Sequence, residues 1–516
     1  MRKFRKIIAA ALSVACLLST FAFAGCGEKA IAPDYSETEV TFERYAYSAT
    51  YDGWWRYADA TGTHEETEGI VVTDKASLQE YKDCGFNTLF ITYTYQLKGA
   101  EFKGSKVEQI MDWAHELDMK CILWENTTYL LSYTAESLIN PEKADGKKFF
   151  NTQEELNAYV YENIKDIIAH PAYYGFSLKD EPNREYLPAI GQVYKAIEAA
   201  KKGSFTKMNL WAFTTSPAAQ WQSRYSENYA TQTPEQNYID YLNYYKECTG
   251  APYVQYDDYP LQGDNPDIAG VGDDWVNVNV NHLKNYRIVS EWARKNGVEM
   301  KKVLQSSSYN VSDDGGTTWK STCRDLTKTD MYWQTNIAMA FGQKSFTYWT
   351  YYPVVNVGAS EKYDDSTCFI DQYGTKNDMY FWMKGIHAEM DGMAKALMNF
   401  EYNAVTKVAR TPRIGQIDYI GGIEKTDLEL IADAKSETSG IAIITELYDE
   451  ENDRYGYFIV NVTDPTEKSE MEISFKVNGY KNVQVYNRGE VENEKLKDGL
   501  FEVELQTGEG VFVIPY

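Results

Sequence analysis

The stretch YYGFSLKDEPN, Tyr173 to Asn183, decides the fold. Tyr174, Phe176 and Leu178 alternate with Gly175, Ser177 and Lys179, so the segment is a strand with one apolar face and one small or polar face. Glu181 continues the polar parity. Pro182 holds Glu181 out of the α region and fits the first turn of a helix read from about Glu185 to Lys202. A carboxylate pair, Asp180 and Glu181, is thereby placed at the C-terminal end of a strand.

The same rhythm extends in both directions. Before it come VTFERYAYSATYDGWW, FNTLFITYTY and MKCILWEN as strands, with helices TDKASLQEYKDCG, ended by Gly85, VEQIMDWAHELD and ELNAYVYENIKDIIAH. After it come the strands KMNLWAFTTSP, PYVQYDDYP, KKVLQSSSYN and KSFTYWTYYP, separated by the helices YIDYLNYYKEC, VNHLKNYRIVSEWARKNG and TDMYWQTNIAMAFG. About eight strands alternating with helices predict an α/β fold of the (β/α)8 TIM-barrel type over residues 41–398, with the opening stretch as strand four. NDMYFWMKGIHAEMDGMAKAL closes it. From residue 399 to 516 the chain carries strands separated by turns at Gly, Asn and Asp with no helix between them, which predicts a smaller antiparallel β-sandwich packed directly on the barrel.

Barrels of this type build their sites at the C-terminal ends of strands. Polar residues there become candidates: Glu125 and its neighbour Trp124 after strand three, Asp180 and Glu181 after strand four, Asp257, Asp258 and Tyr259 after strand six, Gln305 and Ser307 on strand seven, and Trp349 on strand eight. Parity with Gln255 turns Asp257 inward rather than Asp258. DEP is also what a helix N-terminus uses, since carboxylates meet the macrodipole there, and YDDYP is also an acidic turn before proline. The strand context is what favours chemistry for Glu181.

The chain has 516 residues, enough for two domains, and a formal net charge of -25, which disfavours polyanions such as nucleic acid and leaves neutral or cationic partners. Its 42 Tyr and 12 Trp exceed what a core needs, and flat rings with a polar edge suit stacking on sugars. Arg2, Lys3, Arg5 and Lys6 precede an apolar segment, Ile7 to Phe23, which reads as an export signal over residues 1–25. Phe23, Ala24, Gly25 and Cys26 resemble a bacterial lipobox, implying lipidation of Cys26, a polar tether over residues 26–40, and anchoring to the outer face of the cell membrane. The five later cysteines are odd in number and scattered, so no disulfide framework and no zinc site is expected, and no cofactor is implied.

GFSLKDEPN, YDDYP, QSSSYN, the helix-to-strand run TNIAMAFGQKSFTYWTYYP and a β region ending in GEGVFVIP together resemble bacterial secreted glycoside-hydrolase-like barrels over about Thr41 to Tyr516. The resemblance implies cleavage of O-glycosidic bonds in a polysaccharide or oligosaccharide, with Glu181 in the position of the strand-four acid/base of glycoside hydrolase clan A. This chain departs from the clan in two places. Asp180 stands where Asn is usual, and strand seven ends in Gln305, Ser306, Ser307 and Ser308 where the clan carries a Glu nucleophile. The Glu/Glu mechanism is therefore not carried over. Asp257 is the expected second carboxylate, with Asp180, Asp258 and Glu125 as competitors. The alternative is a surface lipoprotein that binds glycans without cutting them.

Overall fold

A computed structural model describes residues 31–40, 42–50, 73–91, 102–263, 278–279, 281–312, 320–353, 355–357, 362–364, 368–371, 373–409 and 422–516. The export signal, Cys26 and the first residues of the tether, to residue 30, lie outside the described residues, as does the segment from 264 to 277.

Two four-stranded parallel sheets dominate the first part. One runs in the order β2 (Thr88–Ile91), β3 (Lys120–Leu123), β4 (Tyr173–Asp180) and β5 (Phe205–Asn209). The other runs β1 (Glu43–Ala46), β10 (Ser345–Trp349), β7 (Glu299–Gln305) and β6 (Tyr253–Asp257). Backbone hydrogen bonds meet at both pairs of edges, Asn87 N to Arg44 O at 3.2 Å and Leu210 N to Gln255 O at 2.8 Å. These strands are short apolar runs because both faces are covered.

Helices alternate with the strands: α1 (Lys75–Asp83), α2 (Lys106–Glu116), α3 (Asn126–Ser132), α4 (Gln153–Ile168), α5 (Leu187–Ala200), α6 (Ala219–Gln222), α7 (Pro234–Thr249), α8 (His282–Asn296), α9 (Lys328–Ala340) and α10 (Asp378–Leu397). Local chemistry sets several of their ends. Asp74, Ser105, Thr152, Thr233 and Thr327 each accept a backbone N–H of the first turn, and Gly250 and Gly297 close α7 and α8 in the left-handed conformation.

Strand β4 departs from simple alternation. Cys121 pairs with Tyr173 but Ile122 with Gly175, and Ser177 pairs with Lys207 but Asp180 with Asn209. These two irregularities each shift parity. Tyr174 therefore leaves the helix-facing side occupied by Phe176 and Leu178 and stacks on Phe205, with ring centroids 5.2 Å apart. The expected apolar face of Tyr174, Phe176 and Leu178 is thus corrected for its first member. Gly175 is required here, since a Cβ would lie 1.8 Å from the Phe205 carbonyl oxygen. The expected helix from Glu185 is a short 3-10 turn, Arg184–Tyr186, followed by α5, with Pro188 in the first turn. The expected strand Lys207–Pro217 starts at Phe205 and ends at Asn209, where the chain turns over the end of β4.

A four-stranded antiparallel sheet that the sequence pattern did not reveal joins β8 (Tyr309–Ser312), β9 (Lys320–Cys323), β11 (Val355–Val357) and β12 (Lys362–Asp364) in the order β11-β12-β8-β9. Three- and four-residue strands carry too little alternation to be read.

The C-terminal part is antiparallel. β13 (Glu401–Ala409), β15 (Ile441–Asp449), β16 (Arg454–Asn461), β21 (Gly510–Pro515), β18 (Asn482–Asn487) and β19 (Glu490–Lys495) form a six-stranded sheet, and β14 (Ile431–Ser436), β17 (Glu470–Val477) and β20 (Leu500–Gln506) a three-stranded one. Ile444, Tyr457 and Ile459 of the larger sheet share an apolar core with Met471, Ile473, Phe475 and Leu505 of the smaller. The other face of the larger sheet, with Phe458, Val460 and Phe512, joins the core that holds Met390 and Met393 of α10. That is why β16 is buried over its last six residues while β17 alternates. Asn336 of α9 donates to Gly508 O at 2.9 Å across this contact.

Candidate functional site

On the face of the parallel sheets turned away from the helices, Tyr45, Tyr47, Phe90, Ile122, Phe205, Tyr253 and Val303 form one buried group, with Trp124, Tyr174, Tyr259 and Trp349 packed against it. The strands' C-terminal ends bring three carboxyls to its edge. Asp180 ends β4, Asp257 ends β6, and Glu181 follows β4 in the left-handed region at φ 42°, with its N–H donated to Asn209 O at 2.7 Å. That conformation strains a residue with a Cβ, and the surrounding hydrogen bonds hold it. Glu181 thus reaches the site through a strained turn and not through the alternation expected of it.

The three carboxyls share one electrostatic environment. Burial, reinforced by the charges of Asp257 and Asp180, pushes Glu181 well above the usual carboxylate range. Burial and the charge of Asp180 push Asp257 up to about 7, with Asn209 and Lys302 pulling the other way. Asp180 is solvent-accessible yet walled in by protein, as in a deep cleft, and burial raises it too, against the pull of Asn209 and Lys207. Glu181 and Asp257 are electrostatic neighbours, the charge of Asp257 being the largest influence on Glu181 after burial. Asp257 Oδ1 is buried with no hydrogen-bond partner among the described residues, and Tyr259 Oη donates to Oδ2 at 3.4 Å.

Lys207 of β5 was not anticipated. It is fully buried, its Nζ has no hydrogen-bond acceptor among the described residues, and it lies 3.5 Å from the Tyr47 ring centre. Burial pulls it down to about 7 despite the attraction of Asp180, Asp257 and Glu43. A lone Lys within the buried run FTKMN was the available signal, but placing it as the strand's first residue left it looking like an exposed end.

Other candidates sit elsewhere. Asp258 is turned away from the cleft onto His282 Nδ1 at 2.8 Å and Asn279 at 3.0 Å, while Lys302 Nζ donates to its carbonyl at 2.7 Å. Burial would raise Asp258, but these partners hold it below its ordinary value. His282, pushed down to about 4 by burial, is neutral at pH 7, so it acts there as a hydrogen-bond donor rather than as a counter-charge. Glu125 is buried as the N-cap of α3, accepting from Thr127 N and Thr128 N at 2.8 Å each. Gln305 brackets the Leu261 backbone, accepting at 3.0 Å and donating at 3.1 Å. Ser307 Oγ donates to Trp349 O at 3.2 Å, tying β7 to β10. Glu125, Gln305 and Ser307 therefore hold backbone in place and Asp258 holds the His282 and Asn279 side chains, whereas Trp124, Tyr259 and Trp349 are half-buried in the aromatic group beside the carboxyls. Glu125→Ala is expected to cost about 1–2 kcal/mol in urea unfolding and to leave kcat unchanged, and a tenfold fall in kcat would return Glu125 to the site.

Among the described residues no group of three or more His, Cys, Asp and Glu is placed to hold a metal ion, and Cys84, Cys121 and Cys248 are free thiols. No helix there is long and apolar enough to cross a membrane.

No family model matches the chain, and no curated protein matches it. Among solved structures it is similar to a GH30 endoxylanase from Clostridium papyrosolvens, at 10% identity over 93% of this chain and 97% of that one, with a TM-score of 0.37. It is also similar to a glycoside hydrolase family 5 protein from Bacteroides vulgatus, at 11% identity over 92% and 89%, TM-score 0.45. A GH27 β-L-arabinopyranosidase from Geobacillus stearothermophilus gives 11% identity over 93% and 97%, TM-score 0.45. At these scores the likenesses carry no functional weight, and function has to be read from the cleft.

Proposed function

We propose that the protein is a glycoside hydrolase, exported and lipid-anchored through Cys26, that cleaves a polysaccharide or oligosaccharide in the cleft beyond the C-terminal ends of the parallel strands. On this reading the eight strands form a (β/α)8 barrel over residues 41–398, and residues 399–516 a β-sandwich. The observation that carries it is the carboxyl trio of Asp180, Glu181 and Asp257 beside Tyr47, Tyr259 and Trp349. Glu181, held protonated near neutral pH by burial and like charge, is the general acid. Asp257, poised near 7, is the second carboxylate, and Asp180 steers the pair electrostatically. Cleavage requires a glycosidic oxygen to enter beside Glu181 with Asp257 within reach of the anomeric carbon or of a water.

The end of β7 favours the second reading, a glycan-binding surface protein without catalysis, because it carries Gln305, held on the Leu261 backbone, and no carboxylate. The mature chain should be incubated with a panel of neutral and acidic polysaccharides while released reducing ends and bound glycan are both measured. Released sugar supports the hydrolase, and saturable binding with no new reducing ends supports the binding protein. Neither signal across the panel overturns both.

A further inference from the structure

We propose that the cleft is built for a glycan carrying an isolated uronic acid, whose carboxylate is gripped by Arg224. The inference rests on the glycan-cleft reading above and names the class of sugar. Arg224 lies between two indoles, its guanidinium carbon 4.1 Å from the Trp211 ring centre and 4.3 Å from that of Trp221. The loop that carries it is fixed to the end of β4: Arg184 N donates to Arg224 O at 2.9 Å, and Trp211 Nε1 donates to Asn183 Oδ1 at 3.2 Å. Arg224 is close enough to Glu181 to favour its anionic form.

What sets Arg224 apart is that its side chain has no hydrogen-bond acceptor and no ion pair among the described residues, and its Nη1 is buried. The other described arginines all have one, from the Arg324 pair with Asp330 to the 3.3 Å bond from Arg294 to Asn403 O. In a chain with a net charge of -25, acidic side chains are plentiful, so a cation left without one is conspicuous. The two indoles stand at 83° to each other with ring centres 6.5 Å apart, so they wall the guanidinium into a corner, and two parallel N–H groups on its open side match the two oxygens of a carboxylate. In a chain of hexoses the planar carboxylate is the C6 group of a uronic acid. Long polyanions are disfavoured by the overall charge and by the three carboxyls in the cleft, so the acid is a single residue among neutral sugars.

The test uses the mature chain and two matched oligosaccharides, one with a single uronic acid and one with that acid as its methyl ester. Calorimetric Kd values are expected to be at least about tenfold lower for the free acid, because the ester leaves Arg224 buried without a counter-charge. Arg224→Gln is expected to shrink that preference to within about twofold, and Arg224→Lys to retain part of it, since a point charge replaces a fork. Equal affinity of the wild type for acid and ester overturns the proposal, and that comparison stands even if the variants do not fold. So does a preference that survives Arg224→Gln, or a sulfated analogue that binds as tightly as the acid. If neutral oligosaccharides bind or are cut without preference for the acid, only this inference fails. If no glycan binds or is cut, the reading of the cleft itself falls.

Discussion

Replacing Glu181 by Gln is expected to slow glycan cleavage about a thousandfold while changing glycan affinity only a few fold. Gln fills the same volume and keeps a hydrogen-bonding head group, but it has no proton to give to the departing sugar oxygen. The loss should depend on the leaving group. A dinitrophenyl glycoside, whose phenolate leaves without protonation, should lose far less than a natural sugar. Stability should move the opposite way. Because the Glu181 carboxyl holds its proton well above 4.5, the folded chain retains a proton that the unfolded chain has released, and folding stability falls as pH rises from about 4.5. Gln removes that penalty, so the variant should unfold at higher urea than the wild type at pH 7 and at the same urea at pH 4. Cleavage of natural glycans at the wild-type rate would remove Glu181 from the mechanism.

The succession of strands and helices was legible because each parallel strand is a short apolar run with turn residues on both sides, and each amphipathic helix has its own cap. The change of texture after α10 was legible for the same reason, since period-two alternation as in β17 cannot belong to a helix. Inward and outward facing in β4 was not. Its two irregularities leave no trace in composition, and parity counted through them puts Tyr174 on the wrong side. Glu181 was singled out from its place at the strand end, but its orientation comes from a left-handed turn that alternation does not encode. Glu125 and Asp258 show the reverse limit. Each is a carboxylate beyond a strand, as Asp257 is, and only the Thr127 and Thr128 N–H groups in one case and His282 in the other reveal what it is for. Lys207 and Arg224 escaped notice because a cation without a counter-ion is recognisable only once its neighbours are known.

Lys207→Met is expected to stabilise the fold by about 2–4 kcal/mol at pH 7 and to reduce cleavage at least about tenfold. An ordinary lysine titrates near 10.5, and burial brings Lys207 down to about 7. Between those values the unfolded chain binds the proton that the folded chain has given up, so stability rises with pH across the window and the cost of burying the amine is greatest at and below pH 7. At about 1.4 kcal/mol for each tenfold step in proton affinity the gap, in which the attraction to Asp180 and Asp257 is already counted, is worth at most ~5 kcal/mol. Met fills the same slot against the Tyr47 ring with no amine to desolvate. The gain should therefore shrink as unfolding is measured at successively higher pH and nearly vanish by about pH 10. Activity pays for it, because without the neighbouring cation Asp180 and Asp257 keep their protons to higher pH and fewer molecules hold the second carboxylate as an anion. The pH at which cleavage switches on should move upward in the variant. A variant less stable than the wild type at pH 7 would mean that the Lys207 ammonium is fully charged and holds the carboxyls together, and a more stable variant with unchanged cleavage would remove Lys207 from the chemistry.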